Sequence, residues 1–262
     1  MSVIKTLLIE DNNLSRGWAK AFVALMKPGV DEIVPLQVTV RDFGDGSTLE
    51  LPSVRRELDH ELKAQDEFLC ETVAGTIFPH SMWNRALSRD RLFGRYLAAL
   101  PRLKRFRQNA YGLYFERLIA HGPKRFNQLD FMLTSRLGNG TRKGNKRRSV
   151  LQASIMEPDH DLTNQPLRGF PCLQQVSFAP FGQDELAVNG FYGTQFIFQK
   201  AYGNYLGLYR LGQFVAHELG LRLTQVSCFT GIAQLGTGKA GLRSLERKVG
   251  GILDREASGS DE

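Results

Sequence analysis

Cys172 is the residue with the clearest chemical potential in this chain. It follows Pro171 at the head of an apolar run, in a protein with three cysteines, Cys70, Cys172 and Cys228, that show no close pairing. A thiol reacts as its thiolate, and its ordinary pKa of about 8.5 leaves only a minority in that form at neutral pH. Neighbouring cations raise the fraction, and Arg168 stands four residues upstream. The same thiol also reads as an inert core cysteine, since cysteine is among the most buried residue types. Asn204 lies thirty-two residues on, where an apolar helix opens. A side-chain amide donates and accepts hydrogen bonds at once. Arg147 and Arg148 are adjacent and follow a glycine-bearing loop. Paired guanidinium forks suit phosphate oxygens, and they also suit a solvated basic hairpin.

Periodic elements must hold these residues. Leu173–Phe178 and Leu186–Tyr192 flank Pro180-Phe181-Gly182-Gln183-Asp184, which reads as strand, turn, strand. From Tyr205 the period changes. Leu208, Leu211, Val215 and Leu219 recur at helical spacing and Gly220 supplies a stop, so a buried helix follows the hairpin. Upstream, Leu14–Met26 carries Trp18, Phe22 and Leu25 on one face, with Ser15 as a possible cap and Lys27-Pro28-Gly29 as an end. Glu32–Val40 reads as a strand whose Pro35 favours an edge or a bulge. Helices are expected over Pro52–Ala74, from Ser88 to Arg107 and over Phe126–Arg136. Thr76–Trp83 is an aromatic loop in which Trp83 packs or lines a cleft. The glycine-rich basic stretch before Arg148 is expected to be flexible, with a strand over Ser149–Ile155. Leu221–Ala233 reads as a further strand, and LRSLERKVGGIL as a short helix after it.

The Pro-Cys step, the hairpin, and an Asn about thirty residues on at the head of a central helix together resemble the thymidylate synthase family. The resemblance implies an α/β fold of the α+β kind. A mixed sheet packs against helices, and one sheet face joins two copies as a homodimer. It implies that Cys172 adds to C6 of a pyrimidine, that Asn204 holds the ring edge, and that Glu71 moves protons. It places Tyr111, of the pair Tyr111-Gly112, in the active site, and it carries Arg147 and Arg148 across the dimer to the partner's nucleotide phosphate. An ordinary surface role for Glu71 stands beside its catalytic one. Several family residues are absent. The His after the reactive cysteine is Leu173 here. A phosphate-binding Arg is Gly193, and the Asp that holds folate is Phe196. Where the family has His-x-Tyr at the sugar, this chain has Gln234 and Gly236, and Gln234 would meet a ribose hydroxyl. The resemblance implies methylenetetrahydrofolate as donor, and the lost Asp argues against it.

At 262 residues and 42% hydrophobic, the chain is long enough for one large α/β domain or two small ones. We expect a single domain over 1–254 and a disordered tail over 255–262. No apolar run reaches the roughly 18–20 residues of a membrane span. The N-terminus is not read as a signal peptide. An unpaired cysteine count fits a cytoplasmic setting, with neither a disulfide framework nor a zinc site. The net charge of +7 comes from local clusters and suits anionic partners. The expected function is one-carbon transfer, methyl or hydroxymethyl, to C5 of a pyrimidine nucleotide: a transferase of nucleotide biosynthesis with no metal. Two alternatives stand beside it. One is a nucleotide sensor on the same fold. The other is a nucleic-acid binder using the basic runs Arg102–Arg107 and Arg142–Arg148, which lack interleaved aromatics.

Overall fold

The computed structural model describes residues 2–44, 49–106, 109, 112–138, 141, 143–164 and 171–258. Strands and helices together make a mixed α/β chain, with a run of helices between the second and third strands. Its six-stranded sheet runs in the order β1 (Ser2–Asp11), β2 (Val30–Arg41), β6 (Arg222–Gln234), β5 (Glu185–Phe196), β4 (Leu173–Phe181), β3 (Gln152–Ser154). No helix among the described residues is long and apolar enough to cross a membrane. The chain divides into two compact units. One comprises residues 1–73, 192–206 and 224–262, the other residues 74–191 and 207–223.

In the first unit β1 (Ser2–Asp11), α1 (Leu14–Met26) and β2 (Val30–Arg41) form a strand-helix-strand crossover with parallel strands. Asn13, not Ser15, caps α1, accepting from the Arg16 amide at 3.1 Å. Trp18, Phe22 and Leu25 are fully buried as the spacing predicts. The indole N–H of Trp18 is satisfied by the Ile197 carbonyl at 2.8 Å. Gly17 lets the helix lie close on the sheet, since a Cβ there would meet Val38 Cγ1 at 3.3 Å. The β2 strand lies between β1 and β6, not at an edge. Pro35 is accommodated where no ladder pair forms: the pairing with β1 steps from Val34 to Leu36, and the pairing with β6 from Ile33 to Leu36. That gap is the bulge-like alternative to an edge position.

The expected helix over Pro52–Ala74 is broken. The helix α2 (Pro52–Ala64) stops where Asp66 turns left-handed at φ 57°, and α3 (Cys70–Ile77) restarts with the Asp59 carboxylate accepting from the Cys70 amide at 2.9 Å. Strand β6 (Arg222–Gln234) and helix α9 (Arg243–Ser258) complete this unit. Residues 255–258, expected in a disordered tail, are the last turn of α9. Residues 259–262 lie outside the described residues.

The second unit holds α4 (Arg89–Leu103), α5 (Tyr114–Ile119), α6 (Gln128–Leu137), β3 (Gln152–Ser154), α7 (Pro158–Asp161) and β4 (Leu173–Phe181). It also takes most of β5 (Glu185–Phe196) and of α8 (Tyr202–Leu219). Phe78 packs edge-on against Phe115 and Trp83, and Phe214 joins them. Trp83 is therefore a packed loop residue. Close helix packing is set by Gly207, where a Cβ would stand 2.9 Å from both the Ala74 carbonyl and Ile77 Cβ. The strand expected over Ser149–Ile155 is shorter: Arg148–Val150 makes a 3-10 turn before β3.

Candidate active site

Cys172 stands one residue before β4 and is exposed, whereas Leu173 is fully buried. Side chains alternate at the mouth of a strand, so burial of one turns the next outward. The thiol is thus a surface group and not a core one. Cys70 and Cys228 are buried, and burial pushes both of those thiols above their ordinary range. The phenol of Tyr114, the first residue of α5, lies beside the backbone of Cys172 and Leu173. Burial foremost, and then the nearby Cys172, push that phenol upward, so Tyr114 is a neutral hydroxyl at the strand mouth. No sequence signal pointed to it, because six residues are too few to show helical periodicity.

Arg147 and Arg148 belong to the same unit and are exposed. The Arg147 amide donates to Asn145 Oδ1 at 2.9 Å. The described part of the loop before them is tied to α6: Asn145 N donates to the Ser135 carbonyl at 2.8 Å, and Gly138 bridges Lys143. A Cβ on Gly144 would fall 2.2 Å from the Arg136 carbonyl, so glycine there is what allows the loop to close on the helix. Tyr111, Arg142 and Arg168 lie outside the described residues.

Three further candidates belong to the first unit. Glu71 is in the first turn of α3, with 60% of its side chain exposed and Arg55 at 3.7 Å. Arg55 also pairs with Glu50 and Asp59, at 3.0 and 2.7 Å. Asn204 is the third residue of α8 and is buried. It follows a π-helical turn, Ile197–Ala201, a form that often marks functional positions. Gln234 ends β6, and its amide donates to Glu32 at 2.6 Å. Two buried polar clusters in this unit were not anticipated. Ser15 Oγ meets the Tyr202 hydroxyl at 2.8 Å and accepts from the Leu51 amide at 2.8 Å, while Tyr202 donates to Glu50 at 2.8 Å. Gln195 Oε1 accepts from Thr230 at 3.0 Å. Both clusters join residues far apart in sequence, which local pattern does not reveal.

The second unit also contains a polar cleft of about 170 Å³ lined by both signs of charge. Glu116 and Arg117 of α5 form its floor, with Lys104, Arg125, Glu157 and His160 around them. Arg117 and Asp161 are both buried, and the Arg117 guanidinium grips both oxygens of that carboxylate. Although burial opposes ionisation, the Arg117 bonds hold the Asp161 carboxyl well below the usual range. Lys104, counted in the basic run Arg102–Arg107, is ion-paired to Glu116 at 2.7 Å.

Compared with models of known protein families, the chain matches none. Compared with curated proteins, it again matches none.

Proposed function

We propose that this protein transfers a one-carbon group to C5 of a pyrimidine nucleotide, in the manner of thymidylate synthases, with Cys172 as nucleophile. The observation that carries the reading is the exposed Cys172 thiol at the head of β4. It is followed in order by the β4–β5 hairpin and by α8 with Asn204 in its first turn.

The chemistry follows from the weakness of C5 as a nucleophile. The thiolate adds to C6, a C–S bond forms, and the C5=C6 π pair moves toward O4 as an enolate. C5 then attacks the one-carbon electrophile, its proton leaves to a base, and the carrier is expelled to leave a methylene on C5 that takes up water or a hydride. Re-forming C5=C6 expels the thiolate. Glu71, through water, is assigned the proton. Asn204 is assigned the ring edge, where a donor to developing charge contributes roughly 3–4 kcal/mol. Tyr111 keeps its assignment to the active site, Gln234 a sugar hydroxyl, and Arg147 and Arg148 a nucleotide phosphate. The donor is folate or another carrier at the formaldehyde level of oxidation. A methyl product additionally needs a hydride from that donor. A homodimer is part of the reading. Val34, Phe229 and Ile232 on β2 and β6 are exposed apolar residues of a sheet, the kind of surface that a partner covers.

A donor-independent test uses 5-bromopyrimidine nucleotides with excess small thiol. Addition of Cys172 to C6 labilises the C5–Br bond, and the external thiolate removes bromine. Debromination by the wild type, lost in Cys172→Ser, is the expected result. Nucleotide binding without debromination favours the sensor reading instead.

A further inference from the structure

We propose that the polar cleft of the second unit binds a small zwitterion of the α-amino acid class, independently of the reaction proposed above. Glu116 is 6% exposed. One of its oxygens takes Lys104 Nζ at 2.7 Å. The other, Oε2, is buried and has no hydrogen-bond partner among the described residues. A buried carboxylate oxygen without a donor carries a desolvation cost, and native structures rarely leave it so. The oxygen lies close to Gly112, which shares the cleft lining with Glu116: a Cβ built there would stand 3.7 Å from it and 3.2 Å from Arg117 Nε. Gly112 has φ 106°, a conformation suited to glycine, so no side chain is built over Glu116 and Arg117 at this point of the lining.

The volume, about 170 Å³, is on the order of ten times the ~15 Å³ that one water needs. The space therefore takes a small molecule as readily as a water cluster. The walls select which molecule. Glu116 Oε2 calls for an N–H donor, and an ammonium makes the stronger, charge-assisted bond. Exposed Arg125 stands on the same lining and calls for an anion, with the half-exposed His160 ring, bonded to Asp161 through Nδ1, beside it. Glu157 Oε1 is occupied, accepting from the Gly122 amide at 3.0 Å. Carboxylates and cations share one lining, which suits a ligand that carries both signs over one that is only anionic or only cationic.

The test is calorimetric titration of the full chain with each of the twenty protein amino acids. Methylamine, acetate, glycerol and inorganic phosphate serve as partial mimics. We expect at least one amino acid to bind, with each partial mimic about tenfold weaker or worse, since each loses one charge-assisted bond. Glu116→Gln and Arg125→Gln should each weaken binding by about tenfold or more. Arg125 is exposed, so its variant remains informative if Glu116→Gln does not fold. No binding by any amino acid overturns the proposal. So does equal binding by methylamine or acetate, binding by glycerol or phosphate alone, or affinity unchanged in both variants.

Discussion

Replacing Asp161 by Asn should be among the most damaging single changes in the second unit. The Asp161 carboxylate accepts from both terminal nitrogens of Arg117 and from the Glu157 amide at 2.9 Å. Only 4% of the Asp161 side chain and 8% of the Arg117 side chain are exposed. Asn leaves one acceptor where two were used, turns an NH2 toward a guanidinium, and strands a buried cation. Breaking a buried pair from one side costs about 3–5 kcal/mol. At a urea slope of about 2 kcal/mol per M, the midpoint should fall by roughly 1.5–2.5 M. The pH dependence has a definite sign. The folded carboxyl is held below its ordinary value, so its contribution is complete above the unfolded pKa of about 3.9. It is lost as pH falls from there through the depressed folded value. Circular-dichroism melts in urea at pH 7 and along that acid limb read both effects. A midpoint within about 0.5 M of wild type at pH 7, or a gap between the two proteins that does not close in acid, would mean that the Arg117–Asp161 pair does not hold this unit together.

Three other outcomes follow from the packing. Gly207→Ala pushes a methyl to within 2.9 Å of the Ala74 carbonyl and Ile77; overpacking of that kind costs about 1–3 kcal/mol, read as a lower urea midpoint. Ser15→Ala removes the acceptor of the Leu51 amide and a partner of the Tyr202 hydroxyl, so about 1–3 kcal/mol should disappear in the same assay. Arg147→Gln with Arg148→Gln changes only exposed side chains. Stability should stay within about 0.5 kcal/mol, while affinity for a pyrimidine nucleotide, measured by calorimetry, falls at least about tenfold.

The α1 helix was legible in the sequence to the residue. Its apolar face is unbroken, and Lys27-Pro28-Gly29 cannot continue it. The body of α8 was legible for the same reason, yet its start was not: the helical period shows only from Tyr205, and the π-helical turn Ile197–Ala201 that leads into the helix carries no period of its own. The strand β1 carries no such mark: only Ile9 among its described side chains is buried, so no alternation sets it apart. A single left-handed residue, Asp66, divides what charge pattern and propensity present as one helix. At the candidate site, the outward-facing Cys172 follows from alternation against buried Leu173. Its neighbour Tyr114 and the Lys104–Glu116 pair depend on how α5 is placed. Tertiary packing decides that placement, and no local period encodes it.

The most direct measurement is the intact mass of the protein after incubation with 5-fluoropyrimidine nucleotides, with and without methylenetetrahydrofolate. Fluorine at C5 cannot leave as the proton does, so a thiolate that adds to C6 and proceeds to one-carbon transfer is trapped. A stable mass increase equal to the nucleotide, alone or with the donor, should map to Cys172 and be absent in Cys172→Ser. An unshifted mass with every such nucleotide, or an adduct that survives in Cys172→Ser, would contradict Cys172 as the nucleophile.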